Sequence, residues 1–161
     1  MARTPWNLVI EERKPKMFRR LISTTPNWFA LPVRLALGGI FVAHGAQKVL
    51  GAWGGPGLKA FAANPAPYAF MRPAWLWMGA AAVSELVGGG LVVLGLLTRL
   101  GALSLAIVMA VAIFGVHWGA FFSNQKGMEY PVVLFAMALA LLISGGGQVS
   151  IDQKLASSRR R

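Results

Sequence analysis

The sequence has 161 residues, 56% of them hydrophobic and only 13% charged, with a net charge of +11 and no cysteine. A soluble domain carries about a quarter charged residues, so the shortage argues for a chain embedded in lipid. Without cysteine there is no disulfide relay, thiolate nucleophile or cysteine-held cluster, and two histidines alone make no metal centre without carboxylate help, so no metal site is expected.

Residues 1–30 form a basic cytoplasmic or interfacial segment. Within it "KMFRRLI", Lys16–Ile22, reads in two ways: a surface helix burying Phe18, Leu21 and Ile22 in lipid, or a disordered basic tail. The first long apolar stretch begins near residue 31, too far in for a cleavable signal. A bilayer-spanning helix needs roughly 20 mostly apolar residues. Four segments approach that: Leu31–Leu50, Ala74–Leu97, Leu100–Phe122 and Tyr130–Gly147. They make residues 31–150 one membrane domain, followed by a basic cytoplasmic tail at 151–161. The expected fold is all-α: an integral membrane four-helix bundle with a long outer loop between helices 1 and 2.

That loop, Gly51 to Pro73, is rich in glycine and proline yet carries Trp53, Phe61, Tyr68 and Phe70, aromatics suited to the headgroup level. A short interfacial helix is expected at Leu58–Ala63. "GGPG" within the loop lacks the strand and Gly-Lys-Ser/Thr of a phosphate-binding loop. "LLTRLGAL" and "SNQKGME" are tight connections, which makes the later helices antiparallel neighbours. Ala80, Ser84 and Gly88, then Ala102, Ala106 and Ala110, then Ala136 and Ala140, mark expected packing faces of small residues.

Twelve of the sixteen lysines and arginines fall before or early in span one, between spans two and three, or after span four. The positive-inside rule then places both termini in the cytoplasm of a multi-pass inner-membrane protein. It also explains the net charge without nucleic acid as a partner.

Five polar groups remain. Arg34, Phe41, His44 and Lys48 share one stripe of span one. At about 1.5 Å per residue, Lys48 lies about 3 Å and His44 about 9 Å from the outer end, His117 about 8 Å, and Glu85 about 15 Å, near the midplane. Glu129 sits at the outer edge of span four. An unpaired charge at the bilayer centre costs roughly 2.5–3.5 kcal/mol, so Glu85 is expected to be protonated or paired with His44 or Lys48. Each group also has a structural reading. Glu85 can fix helix register, His44 and His117 can close ordinary hydrogen bonds, and Lys48 and Glu129 can meet headgroups or each other. Trp53, Trp75, Trp77 and Trp118 are interfacial anchors first and a ring-stacking surface second. His44 and His117 lie at similar depth, but two histidines are a weak basis for haem, which is not expected.

The stretches "RLALGGIFVAHGAQKVLGAWGGPG", "SELVGGGLVVLGLLTRLGAL" and "GMEYPVVLFAMALALLISGGGQVSID" resemble the DoxX family of small four-span bacterial membrane proteins. The pattern is carried by Arg34, Gly38, His44-Gly45-Lys48, Glu85-Gly88, Leu94-Gly95-Thr98-Arg99 and Glu129. The resemblance implies quinone-linked respiratory chemistry or membership of a larger membrane complex. The first expectation is an accessory subunit of a redox or energy-converting complex, packing against partner helices and lipid or forming a homo-oligomer, and not catalytic alone. The alternative is a quinone-interacting oxidoreductase subunit in which His44, Lys48, Glu85, His117 and Glu129 form a proton-handling cluster. No cofactor is encoded; a quinone or lipid at the bundle surface is the ligand to look for.

Overall fold

A computed structural model describes residues 22–158. Among the described residues there are six α-helices and no strand: α1 (Ala30–Leu50), α2 (Gly57–Ala62), α3 (Ala74–Leu94), α4 (Thr98–Gly115), α5 (Glu129–Ser144) and α6 (Ile151–Ser158). By length and composition α3 and α4 can each cross a membrane. α1 does so when counted with the turn and α2, from which it is bent by 93°. α5, with 16 residues, reaches about 24 Å against a hydrocarbon core of about 30 Å. Of the Lys16–Ile22 segment only Ile22 is described, and it is buried; the rest of it, like Arg159–Arg161, lies outside the described residues.

Each helix stops for a local reason. Gly51 takes the left-handed conformation (φ 72°) and returns its N–H to Ala46, closing α1. Gly95 (φ 67°) does the same for α3. The third span was expected to run to Phe122, but α4 ends at Gly115. There the N–H groups of Val116 and His117 both bond to Ala112 O. Beyond them Ala120, Phe121 and Phe122 accept hydrogen bonds from Met128, Glu129 and Gly127, so this stretch folds back on itself instead of continuing the helix.

One apolar cluster joins α1, α3, α4 and α5, with Leu37, Phe41, Val92, Leu105, Leu134 and Leu141 among its members. Glycine sets the tightest contacts. A Cβ on Gly45 would lie 2.6 Å from the Leu86 Cα, and one on Gly89 would lie 2.8 Å from Val42 N, so α1 and α3 meet backbone to backbone. The expected stripe on α4 is partly right, since Ala102 and Ala106 are buried. On α5 it is not. Ala136 and Ala140 are exposed, and α5 packs through Pro131, Leu134, Ala138 and Leu141.

The end of the molecule formed by residues 22–29, 95–97 and 145–158 is closed by charged side chains bonded to backbone. Arg34 is 2% exposed. It donates to Val92 O (2.9 Å), Val93 O (2.7 Å), Gly146 O (2.9 Å) and Val149 O (2.5 Å). Arg99 caps α5 through Leu142 O and Ile143 O, at 2.7 and 2.8 Å. Asp152 accepts from Leu97 N, Thr98 N and Thr98 Oγ1, at 2.8, 2.9 and 2.8 Å, capping the start of α4.

Asp152→Ala removes that cap and orphans three donors, two of them buried, and is expected to cost about 2–3 kcal/mol in unfolding experiments in detergent. Gly45→Ala should lose about 1–3 kcal/mol by forcing α1 off Leu86. Gly39→Ala, where an added Cβ meets nothing within 4 Å, should be neutral or slightly stabilising.

Candidate functional site

The Gly45–Leu86 contact has a direct consequence. Lys48 lies one turn beyond Gly45, and Glu85 immediately precedes Leu86, so the close approach of the two helices brings their side chains together. Lys48 Nζ donates to Glu85 Oε1 and Oε2, both at 2.5 Å. The carboxylate side chain is 5% exposed and the ammonium side chain 24%. The ammonium also sits 5.1 Å from the centroid of the Phe61 ring on α2, a cation–π contact. Of the two partners expected for Glu85, the structure chooses Lys48.

This pair stands in the wall of a cavity of about 620 Å³, within the range of small-molecule sites. α1 contributes Ile40, Phe41 and His44; α3 contributes Trp77, Ala80 and Ser84; α4 contributes Ser104, Ile107 and Ala112. Tyr130 and Leu134 enter from α5, while Phe61, Pro67 and Met71 roof it from the long loop. Most of the lining is apolar. The side chains in it that carry polar groups are few: the ion pair, two histidines, two serines, Tyr130 and Trp77.

His44 lines the cavity, is exposed, and makes no hydrogen bond among the described residues; it does not pair with Glu85. His117 also lines it, but from the turn after α4 and not from a helix. Its Nδ1 lies 2.6 Å from Lys126 O. A carbonyl only accepts, so Nδ1 carries the hydrogen, and in the neutral ring Nε2 is left as an acceptor. Glu129 stands apart from the cavity lining. It begins α5, where the helix dipole favours a carboxylate. Four of the five expected groups therefore share one cavity, and Glu129 does not.

Tyr130, Ser84, Ser104 and the roof residues were not expected at the site. Ser84 and Ser104 read as small packing or helix positions, and Phe61 as a headgroup-level aromatic; only the loop's fold over the bundle reveals them. Trp77, expected first as an interfacial anchor, lines the cavity while remaining 46% exposed.

An uncharacterized protein of Haemophilus influenzae is 31% identical over 124 residues, covering 76% of this chain and 80% of that protein. A second Haemophilus influenzae protein, also described as uncharacterized, is 36% identical over 78 residues, covering 46% of this chain and 58% of its own length. The chain thus spans little more than half of that second relative. No solved structure matches. The family model described as DoxX matches residues 29–118, a stretch that holds Arg34, His44, Lys48, Glu85 and His117 and more than half of the sequence, and the chain belongs to the DoxX family.

Proposed function

We propose that this DoxX protein is a membrane subunit of a larger redox or energy-converting complex, and that its cavity receives the ring headgroup of a quinone-type molecule. In this reading α1, α3, α4 and α5 cross the bacterial inner membrane as a four-helix bundle with both termini cytoplasmic. The bias of lysine and arginine toward one side supports that orientation, and the apolar cluster shared by the four helices supports the bundle.

The observation that carries the proposal is an ion pair set in an apolar cavity. Lys48 supplies N–H donors for ring carbonyls, and a neutral His117 supplies an acceptor for a ring hydroxyl. His44 and the Glu85 carboxylate are the groups able to exchange protons beside the headgroup. Quinone, when bound, supplies the two-electron chemistry; a partner protein supplies the electron carrier. Glu129 lies outside the lining and is not counted among the headgroup contacts.

A purely accessory role is favoured by a different observation. Arg34, Arg99 and Asp152 are all consumed in capping helix ends, and Lys48–Glu85 also ties α1 to α3. The two readings separate on one variant. Glu85→Gln is expected to lower the quinone extracted per purified protein by about tenfold, with co-purifying subunits unchanged. If quinone content holds and the yield of the assembly falls, the pair is architectural. Orientation is checked independently: a protease site placed after Arg161 should be cleaved in inside-out membrane vesicles and protected in right-side-out ones.

A further inference from the structure

The cavity is closed at its two ends and open at its sides. Toward the loop end, Phe61, Pro67 and Met71 roof it, and Met71 is only 9% exposed. That roof is pinned, because Pro67 and Tyr68 pack so closely on Gly115 that a Cβ there would lie 2.7 Å from Pro67 Cβ. Toward the closed end α3 and α4 cross in contact: a Cβ on Gly101 would lie 2.9 Å from Gly88 O.

Beyond that crossing the two helices present matched rows to the cavity, Trp77, Ala80 and Ser84 on α3 and Ser104, Ile107 and Val111 on α4. Their spacing of three and four residues keeps each row on one helix face. Side chains that line a cavity and are exposed as well mark an opening. Trp77 is 46% and Ile107 56% exposed, and Ala80 is exposed. From residue 77 to residue 84 the slot runs about 10 Å along α3. Its mouth is apolar. The exposed lining residues on α1 and α5 are instead His44 and Tyr130, a polar rim unsuited to hydrocarbon.

Resting on the reading that the cavity holds a ring headgroup, we infer that the α3–α4 seam is the membrane-side mouth and holds the ligand's apolar tail. The ligand is then a tailed amphiphile drawn laterally from the bilayer, with one compact head beside Lys48 and a hydrocarbon chain leaving between Ala80 and Ile107. Ala80 and Ile107 become specificity-determining positions, selecting for a tail and not for the head.

The test uses the full-length protein in detergent and two probes, a decyl-substituted benzoquinone and the same ring without the tail. Binding is measured by calorimetry for the wild type, for Ala80→Trp and Ile107→Trp, which fill the mouth, and for Val87→Trp. Val87 is 53% exposed on α3 but outside the lining, and so controls for surface bulk. The expected result is tighter wild-type binding of the tailed probe. Both mouth variants should lose about tenfold or more in affinity for it while binding the bare ring as the wild type does, and Val87→Trp should change neither. Two variants at exposed positions on different helices guard against one failing to fold. Mouth variants that bind the tailed probe like the wild type overturn the inference, as do variants that lose both probes equally. A wild type that binds neither probe removes the headgroup reading itself, and the tail slot with it.

Discussion

Arg34 does what water cannot do inside an apolar bundle. The last carbonyls of a helix have no partner within it, and in hydrocarbon an unsatisfied carbonyl costs several kcal/mol. One guanidinium meets that need at four carbonyls drawn from two stretches of chain, the end of α3 and the segment after α5. A cation is also the right charge for a helix C-terminus, as a carboxylate is for an N-terminus. Arg99 repeats the first arrangement on α5 and Asp152 supplies the second on α4. Thr24 and Thr25 are drawn into the same knot, through Thr25 N to Ser144 O and Gly147 N to Thr24 Oγ1. Removing any of these side chains exposes several backbone groups at once, so this end has little freedom to rearrange.

The other end uses its charges differently. Lys48 and Glu85 bond to each other and not to backbone, and both carboxylate oxygens depend on one ammonium. Burying such a pair gives little net stability, because desolvation offsets most of the attraction, and apolar side chains of similar size would often serve as well. Stability alone is therefore a poor reason for its presence. A carboxylate whose one partner is a partly exposed ammonium leaves that ammonium open to a third polar group, and the pair stands in the wall of a cavity. Rigid closure at one end and an adjustable pair at the other is the division that gives the fold a site.

Much of this was legible in the sequence, and the failures share a cause. Length and apolarity located four helices, but carried the second to Leu97, past the left-handed Gly95 that ends it after Leu94. Depth counting set Lys48 and Glu85 about 12 Å apart, and only the cost of an unpaired buried charge pointed to Lys48 or His44 as the partner of Glu85. Packing faces were harder, because a helix that is apolar all round carries no periodic signal of which side is buried. Hence Ala136 and Ala140 were indistinguishable from Ala138, although only the last is inside. Phe121 and Phe122 extended the apparent third span for the same reason: hydropathy sees the side chains, while the backbone there bonds to residues 127–129. Arg34 and Arg99 could be read as topology signals from sequence, yet their capping role depends on carbonyls 43 to 115 positions away. Asp152 closes the last of the family-like stretches, but its capping role exists only once α6 folds back to Thr98.

The position of Phe61 adds a last step. Its ring faces the same ammonium that holds Glu85, so Lys48 is clasped from α3 by a charge and from the loop between α1 and α3 by a π face. The loop is therefore joined to the helices by Phe61 on Lys48, an electrostatic contact, and by Gly55 on Gln47 and Pro67–Tyr68 on Gly115, both steric. A steric contact against glycine is all or nothing, whereas a cation–π contact is worth about 0.5–2 kcal/mol and can be exchanged for another ring. A flat ring entering beside Lys48 meets the kind of surface Phe61 already presents, and an acceptor on that ring meets the donors Glu85 already uses. Under the proposed reading, head recognition requires no new class of interaction, only a second ring and a second acceptor on the ammonium that Phe61 and Glu85 already share.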